Sequence, residues 1–374
     1  MKYLLAPDSF KESMSAFEAC KAMAKGIKKV DPQAEIDICP LADGGEGTAE
    51  ILNQALNTEI KKVSVLNQKE IEVEASLGFD VASQTAIIEA ASAVAIDFVE
   101  VDNRNPLEYT SYGLGQLINY AIDSKAKKII CALGGSGTND GGLGMLLALG
   151  LKCFDKAGLE FKPKISEINN CVRLDFAQVL ERVSNIEIQV ASDVSNPYLG
   201  SNGATYVFAK QKGASSEDII ILESCLNHLN NLFIESLGID LANIKCSGAA
   251  GGIAGALHLI NGELVSGIDL VLDKVNFDER LKGIDYIFTG EGSIDSQTVN
   301  GKTISGLARR AKKANVPVIA FAGRVYGDLT PLYEIGVKSI FSITLAAMSL
   351  EQALKEGSNS MSETVMNVVK LITK

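Results

Sequence analysis

Short apolar runs recur along this chain, most of them followed by a loop of glycine, hydroxyl and acidic residues and then by a helical pattern. That alternation restricts the fold to α/β architectures, in which strands and helices take turns around a sheet. Tyr3–Ala6 reads as a strand, Ser15-Ala-Phe-Glu18 has the form of a capping box, and a helix is expected from there to about Val30. Glu35–Cys39 is a second strand, with a helix near Thr48–Leu56. Ile60–Leu66, Ile71–Leu77 and Thr85–Ile88 leave little room for helices between them, so an antiparallel or mixed sheet is expected there. Further on, helices are expected at Tyr112–Asp123, after Gly142 and over Ser216–Leu237, and strands at Lys128–Leu133, Glu187–Ala191 and Thr205–Phe208. Gly248–Leu259, rich in Gly and Ala, looks like a closely packed helix start. Clean alternation returns at the end: strands at Tyr286–Thr289, Val316–Ala322 and Val337–Thr344, helices at Thr303–Ala314 and Ser360–Thr373. A chain of 374 residues exceeds one typical core, which implies two domains.

Composition narrows the function classes. Hydrophobic residues make up 47% and charged residues 22%, so a globular chain is expected rather than a disordered one. The net charge of −11 comes with no Lys/Arg block, which argues against nucleic acid as a partner. An acidic chain that binds an anion needs local cations, helix N-termini or a metal ion at the site. Seven scattered cysteines without a C-x-x-C pair read as reduced thiols, and no apolar run is long enough to span a bilayer. The first residues enter a strand at once and resemble neither a signal nor a transit peptide, so a cytoplasmic protein without membrane partners is expected. No sequence feature specifies an oligomeric state.

In open α/β sheets ligands bind beyond the carboxyl ends of the strands. Five strand ends in succession carry suitable residues: Asp8, Ser9 and Lys11; Asp43-Gly-Gly-Glu46; Gly134-Gly-Ser-Gly-Thr-Asn-Asp-Gly-Gly142; Ser192, Asp193 and Asn196; and Gly290-Glu-Gly-Ser-Ile-Asp-Ser-Gln-Thr298, running on to Gly301-Lys302-Thr303. Each alone is an ordinary turn composition, but together they suggest a site. The stretch Gly134, Gly135, Ser136, Gly137, Thr138 offers backbone N–H groups, two hydroxyls and an adjoining helix start for an oxyanion, and Lys302 adds a cation at another helix start. The standard nucleotide motifs fail: a Walker A loop would need glycine at Ser296, and a dinucleotide loop starting from Gly135 would need it at Asp140. Asp8, Asp43, Asp193 and Asp295 each follow a strand. Phosphoryl transfer needs carboxylates for Mg²⁺ and one to orient the attacking hydroxyl, and two of these four are expected to contact ligand or metal. His228 and His258 are read as structural, and Cys131 as a core thiol. Arg104 either clamps a carboxylate or solvates a surface loop.

Taken in order, these segments resemble the bacterial glycerate kinase family. The resemblance runs through Ala6-Pro-Asp-Ser-Phe-Lys11, Pro40-Leu-Ala-Asp-Gly-Gly-Glu-Gly-Thr48, Arg104-Asn-Pro106, Gly134–Gly142, Asp193 with Asn196-Pro197, Gln211-Lys-Gly213, Gly248-Ala-Ala-Gly-Gly252 and Gly290–Thr298 with Gly301-Lys302. It implies ATP- and Mg²⁺-dependent phosphorylation of D-glycerate, with 2-phosphoglycerate favoured over 3-phosphoglycerate. It also implies two α/β domains, one Rossmann-like with a parallel sheet and discontinuous in sequence (1–75 plus 265–374), the other an inserted mixed-sheet domain (76–264), with the site in the cleft between them. Within that reaction, Asp43, Asp193 and Asp295 are expected to carry catalysis, with Mg²⁺ on Asp193 and Asp295, and substrate is expected at Asp8 with its carboxylate held by Arg104 or by Ser9 and Lys11. Two departures stand out: Ser293, where many relatives carry Arg, and Asn300. If that arginine touches phosphate in relatives, this chain supplies the charge from elsewhere. A non-catalytic small-molecule sensor and a hydroxy-acid oxidoreductase are the rival classes. The full set of acids argues against the first, and the failed dinucleotide motif and scarcity of His against the second.

Overall fold

The structure, a computed structural model, describes residues 1–296, 298–299 and 303–373. It divides into two compact units, one made of Met1–Asp43 with Ser266–Lys374, the other of Gly44–Val265. The first unit opens with β1 (Lys2–Leu5), α1 (Ala16–Lys28) and β2 (Glu35–Ile38). The second begins with α2 (Thr48–Ala55), β3 (Glu59–Leu66), β4 (Glu72–Asp80), β5 (Thr85–Glu89), α3 (Ala90–Val94), α4 (Tyr112–Asp123), β6 (Lys128–Ala132) and α5 (Leu143–Ala148). It continues through β7 (Lys152–Phe154), β8 (Glu160–Phe161), β9 (Arg173–Asp175), α6 (Ala177–Val183), β10 (Glu187–Ala191), α7 (Ala204–Phe208), α8 (Ser216–Leu237), α9 (Ile253–Leu259) and β11 (Glu263–Val265). The chain then returns to the first unit with α10 (Gly267–Lys274), α11 (Phe277–Arg280), β12 (Tyr286–Ile294), α12 (Thr303–Lys313), β13 (Val318–Val325), α13 (Thr330–Glu334), β14 (Val337–Ser342) and α14 (Leu350–Ile372).

The first unit is a five-stranded sheet in the order β14-β13-β12-β1-β2, parallel throughout. Counted along its own strands this is the doubly wound order 2-1-3-4-5, with the order reversing between β1 and β12. Both faces are covered, as a parallel sheet requires. Met23 and Ile27 of α1 and Met361 and Val365 of α14 pack with Tyr3, Leu5, Phe288 and Phe321, while Ile304 and Ala308 of α12 pack with Ala320 and Ala322. Ser15 caps α1 in the expected capping box with Glu18.

The second unit has a six-stranded sheet in the order β11-β10-β6-β5-β4-β3. Its first four strands run parallel, and β4 and β3 are antiparallel, which is the mixed sheet expected of this region. A small antiparallel sheet, β8-β7-β9, lies in a stretch where no strands were expected. The first crossover falls after Asp43 rather than near residue 75, because β3 pairs with β4 from Glu59↔Phe79 to Leu66↔Glu72 and so ties residues 59–66 to this sheet.

Several elements differ in kind or length from the sequence reading, among them the last helix, which starts at Leu350 rather than Ser360. Thr205–Phe208, rich in β-formers, is helical in α7: Ala204 and Thr205 are buried while Tyr206 and Val207 are exposed, a helical rather than alternating burial pattern. The strand at Tyr286 continues to Ile294, so Gly290–Ile294 belong to the sheet instead of a loop.

The contact between α1 and α14 depends on Gly26. A Cβ there would lie 2.5 Å from the Ser362 carbonyl oxygen and 2.9 Å from Val365 Cβ. In a free helix Gly→Ala gains up to ~1 kcal/mol, whereas overpacking against a fixed backbone costs roughly 1–3 kcal/mol. Gly26→Ala is therefore expected to lower stability in denaturant unfolding; a midpoint at or above wild type would show that the two helices separate freely.

Candidate functional site

The carboxyl ends of β1 and β12, where the strand order reverses, gather the polar groups of the first unit. The chain stays paired beyond β1: Ala6 N–H donates to Phe288 O and Asp8 N–H to Gly290 O, both at 2.8 Å. The Thr289 hydroxyl donates to Ala6 O at 2.7 Å. Asp8 is 8% exposed. Its Oδ1 accepts the Ser9 N–H at 2.6 Å and its Oδ2 accepts the hydroxyl of Thr303, the first residue of α12. Burial, joined by the nearby charge of Asp43, pushes the Asp8 carboxyl up to about 6 against the lowering effect of these hydrogen bonds. Asp43 itself is half-buried, as is Ser9, and Lys11 is exposed.

At the end of β12 a second set forms. The Asp295 N–H donates to Thr298 Oγ1 at 3.0 Å, the Thr298 hydroxyl donates to Glu291 Oε1 at 3.2 Å, and the Tyr326 hydroxyl donates to Asp295 Oδ2 at 2.8 Å. Of the expected residues, Asp8, Ser9, Lys11, Asp43 and Asp295 thus lie at the carboxyl edge of one sheet. Lys302 and Asn300 fall outside the described residues.

In the second unit, β5, β6 and β10 end level with one another, with Glu89↔Ala132 and Ala191↔Ala132 in register. Asp193 follows β10 and is half-buried; after burial itself, its charge is the next cause raising the Cys246 thiol. The Gly134–Gly142 segment follows β6. A Cβ on Gly134 would lie 2.3 Å from Glu46 N, so this turn rests directly on the Gly45–Glu46 backbone. Glu89 closes that contact from below by accepting the Gly47 N–H at 2.9 Å, and burial pushes its carboxyl up to about 7.

Only the start of the Gly134–Gly142 segment is open. Gly134 is half-buried and Gly135 exposed, whereas Ser136, Gly137, Thr138, Asn139 and Asp140 are buried. Gly137 N–H donates to Val94 O at 2.7 Å and Gly141 N–H to Gly251 O at 2.9 Å. The start of α5 is also fully used. Asp140, 1% exposed, takes Gly142 N–H on Oδ1 at 3.1 Å; its Oδ2 takes Gly144 N–H at 3.0 Å, Ser111 N–H at 2.7 Å and the Ser111 hydroxyl at 2.8 Å. Leu143 N–H donates to Asp140 O, and Met145 N–H to Ser111 Oγ at 2.9 Å. Every N–H from residue 142 to residue 145 is bonded within the protein, so this helix start has no donor left for an external anion. At this helix start the chain's own carboxylate takes the place an external oxyanion would have. Burial raises the Asp140 pKa, opposed by these four donors.

Two further cations hold the same loop. Lys212 is 2% exposed, and its Nζ donates to Thr138 O at 2.6 Å. Burial pulls its amine down to about 7, and the Asp140 charge acts the other way. Arg104, a candidate for clamping substrate, is spent on protein: Nε donates to Val99 O and Nη1 to Gln211 O, both at 3.0 Å, while Nη2 pairs with Asp97 at 3.4 Å. It braces the turn that carries Lys212. His228 and His258 bond the carbonyls of Cys171 and Gly262, consistent with structural roles. Among the described residues no group of three or more His, Cys, Asp or Glu side chains is placed to hold a metal ion.

The residues that sequence reasoning passed over are Asp140, Ser111, Glu89, Thr303, Lys212 and Tyr326. Asp140 carried a usable signal, an acid just before a helix start. Lys212 stood inside the quoted Gln211-Lys-Gly213 segment.

Two variants test this geometry. Asp140→Asn puts an amide nitrogen where carboxylate oxygens now face only donors, and a loss of about 1–3 kcal/mol is expected in urea unfolding; wild-type stability would remove Asp140 as the loop's anchor. For Asp8, a folded pKa of about 6 against an ordinary 3.8 means that its contribution is fully present below pH 3.8 and is lost as pH rises through about 6. The stability of Asp8→Asn relative to wild type should therefore increase across that window, by up to about 3 kcal/mol; a difference that does not change with pH would contradict the buried, charge-coupled state of Asp8.

Comparison with known proteins gives the family. The glycerate kinase family matches residues 3–373. A glycerate kinase from Bacillus subtilis (strain 168) is 40% identical over 373 residues, covering 100% of this chain and 98% of its own length. A protein from Escherichia coli (strain K12) named glycerate 2-kinase is 38% identical over 369 residues, covering 98% and 97%. The crystal structure of a candidate glycerate kinase 2 from Salmonella typhimurium LT2 is similar with a TM-score of 0.83 and 37% identity, covering 100% of this chain and 98% of that one. With a parallel and a mixed α/β unit, carboxylates at the strand ends and a match along its full length, the chain belongs to the glycerate kinase family.

Proposed function

We propose that this enzyme phosphorylates D-glycerate with ATP and Mg²⁺, transferring the phosphoryl group to the 2-hydroxyl to give 2-phosphoglycerate. The observation that carries the reading is the family match over residues 3–373. The name of the E. coli relative, glycerate 2-kinase, supports the choice of hydroxyl. Cytoplasmic residence fits the seven free cysteines, and no helix among the described residues is long and apolar enough to cross a membrane.

Phosphoryl transfer asks the protein for positioning and charge neutralisation. In the first unit, Asp43 and Asp295 are the carboxylates proposed to orient the attacking hydroxyl, with Ser9 and Lys11 offered to the glycerate carboxylate. Asp8 acts through others: it ties the Ser9 backbone to the start of α12. In the second unit the exposed turn Gly134–Gly135 is the part of the glycine segment open to phosphate, and Asp193 is a half-buried carboxylate at the same sheet edge. Mg²⁺ typically takes one or two carboxylates together with substrate phosphates. Asp193 and Asp295 are the proposed ligands, and the ion would supply charge neutralisation on the phosphates.

An assay for ADP release with D-glycerate as acceptor, followed by identification of the product isomer, tests the reaction. Glycerate-dependent ADP and 2-phosphoglycerate are expected. No ADP release would favour the sensor or oxidoreductase classes, and 3-phosphoglycerate would reassign the hydroxyl. Asp295→Asn and Asp193→Asn are each expected to lower kcat by roughly 10²–10⁴-fold while melting as wild type. Near wild-type turnover in both would sink the assigned roles.

A further inference from the structure

The end of β12 pairs with β13 in a register that sets Ser293 opposite Arg324. In parallel strands such partners lie about 5 Å apart and project to the same face. The small side chain of Ser293 leaves the space beside the Arg324 guanidinium on that face unfilled by a second long side chain.

Arg324 is also placed for a ligand rather than for the fold. It is exposed, and its side chain forms no hydrogen bond or ion pair with the described residues. What orients it is Tyr326, whose ring lies 4.1 Å from the guanidinium carbon and whose hydroxyl donates to Asp295 Oδ2. One short path thus links the cation, through a flat ring that leaves its N–H groups available, to a carboxylate proposed for catalysis. A purely solvated surface arginine requires neither the ring nor the link to Asp295.

We propose that Arg324, at the end of β13, binds an anionic oxygen group of the reactants, a nucleotide phosphate or the glycerate carboxylate. The proposal rests on the kinase reading above. It asks of Arg324 what arginine does best: planar, paired N–H donation to a carboxylate or phosphate. Because Ser293 is its register partner on β12, a guanidinium rooted there would reach the same edge of the sheet.

The experiment compares wild type, Arg324→Ser, Ser293→Arg and the double variant in the glycerate-dependent ADP assay, with thermal melting as a control. Arg324→Ser is expected to lose about 10- to 100-fold in kcat/KM, the range of a charge-assisted hydrogen bond, with an unchanged melting temperature. A rise in KM for ATP assigns the contact to phosphate, a rise in KM for glycerate to the carboxylate, and a fall in kcat alone to the phosphoryl group in transfer. The double variant should recover most of the loss, which a role confined to packing Tyr326 would not allow. Kinetic constants for Arg324→Ser within twofold of wild type, or a loss that Ser293→Arg fails to restore, overturn the proposal. An inactive wild type would instead overturn the kinase reading.

Discussion

The buried carboxylate of Asp140 sets the backbone of the second unit's glycine-rich loop. Four donors from two segments converge on it: Gly142 and Gly144 from the loop and α5, and both the N–H and the hydroxyl of Ser111 at the entry to α4. A carboxylate taken out of water costs several kcal/mol unless its oxygens are bonded, and here both are. The arrangement therefore resists sliding of α5 against α4, because any shift strands a buried charge. Lys212 extends the same logic. Its ammonium, equally buried, meets the carbonyl of Thr138, and Arg104 fixes the turn from which it reaches. An acid and an amine that would each be unstable alone offset one another around a loop with little side-chain packing of its own.

The first unit solves a similar problem with neutral partners. Its sheet reverses order between β1 and β12, and the chain leaving β1 must pass over the reversal before entering α1. Backbone bonds from Ala6 and Asp8 to β12 carry it across, and the hydroxyls of Thr289 and Thr303 pin it on either side. The price is that Asp8 sits buried near the charge of Asp43. A reversal of strand order is where open α/β sheets leave a crevice, so the buried acid lies where the proposed reaction would need a ligand.

The strand ends were legible in the sequence because the chemistry there depends on short local patterns: Asp8-Ser9, Asp43-Gly44-Gly45 and Asp193 each follow an apolar run. The uses of those residues were not. Asp140 looked like a missing glycine in a dinucleotide loop, and only its contact with Ser111, 29 residues away, shows that it fills a helix start instead. Arg104 left two readings open, and its actual partners include Gln211, more than a hundred residues later. Thr205–Phe208 has the composition of a strand, yet tertiary burial of Ala204 and Thr205 makes it helical. The first crossover is hidden from local pattern for a related reason: β3 has a clear strand pattern, but membership of a sheet is decided by its partner β4.

The charge distribution constrains how a phosphate compound could be held. The chain carries −11 overall, and the edge at β1 and β12 adds Asp8, Asp43, Glu291 and Asp295. A polyanionic nucleotide brought to such an edge is repelled unless positive charge accompanies it. In the second unit the helix start that might have supplied partial charge is already closed by Asp140, and Lys212 is turned inward to Thr138. Under the proposed reaction, a metal ion carried with the phosphates and, among the described residues, exposed cations such as Lys11 and Arg324 would offset that repulsion. Under the proposed reaction this makes the acidic edge selective. It admits phosphate only with a counter-ion, and that ion also neutralises the group to be transferred.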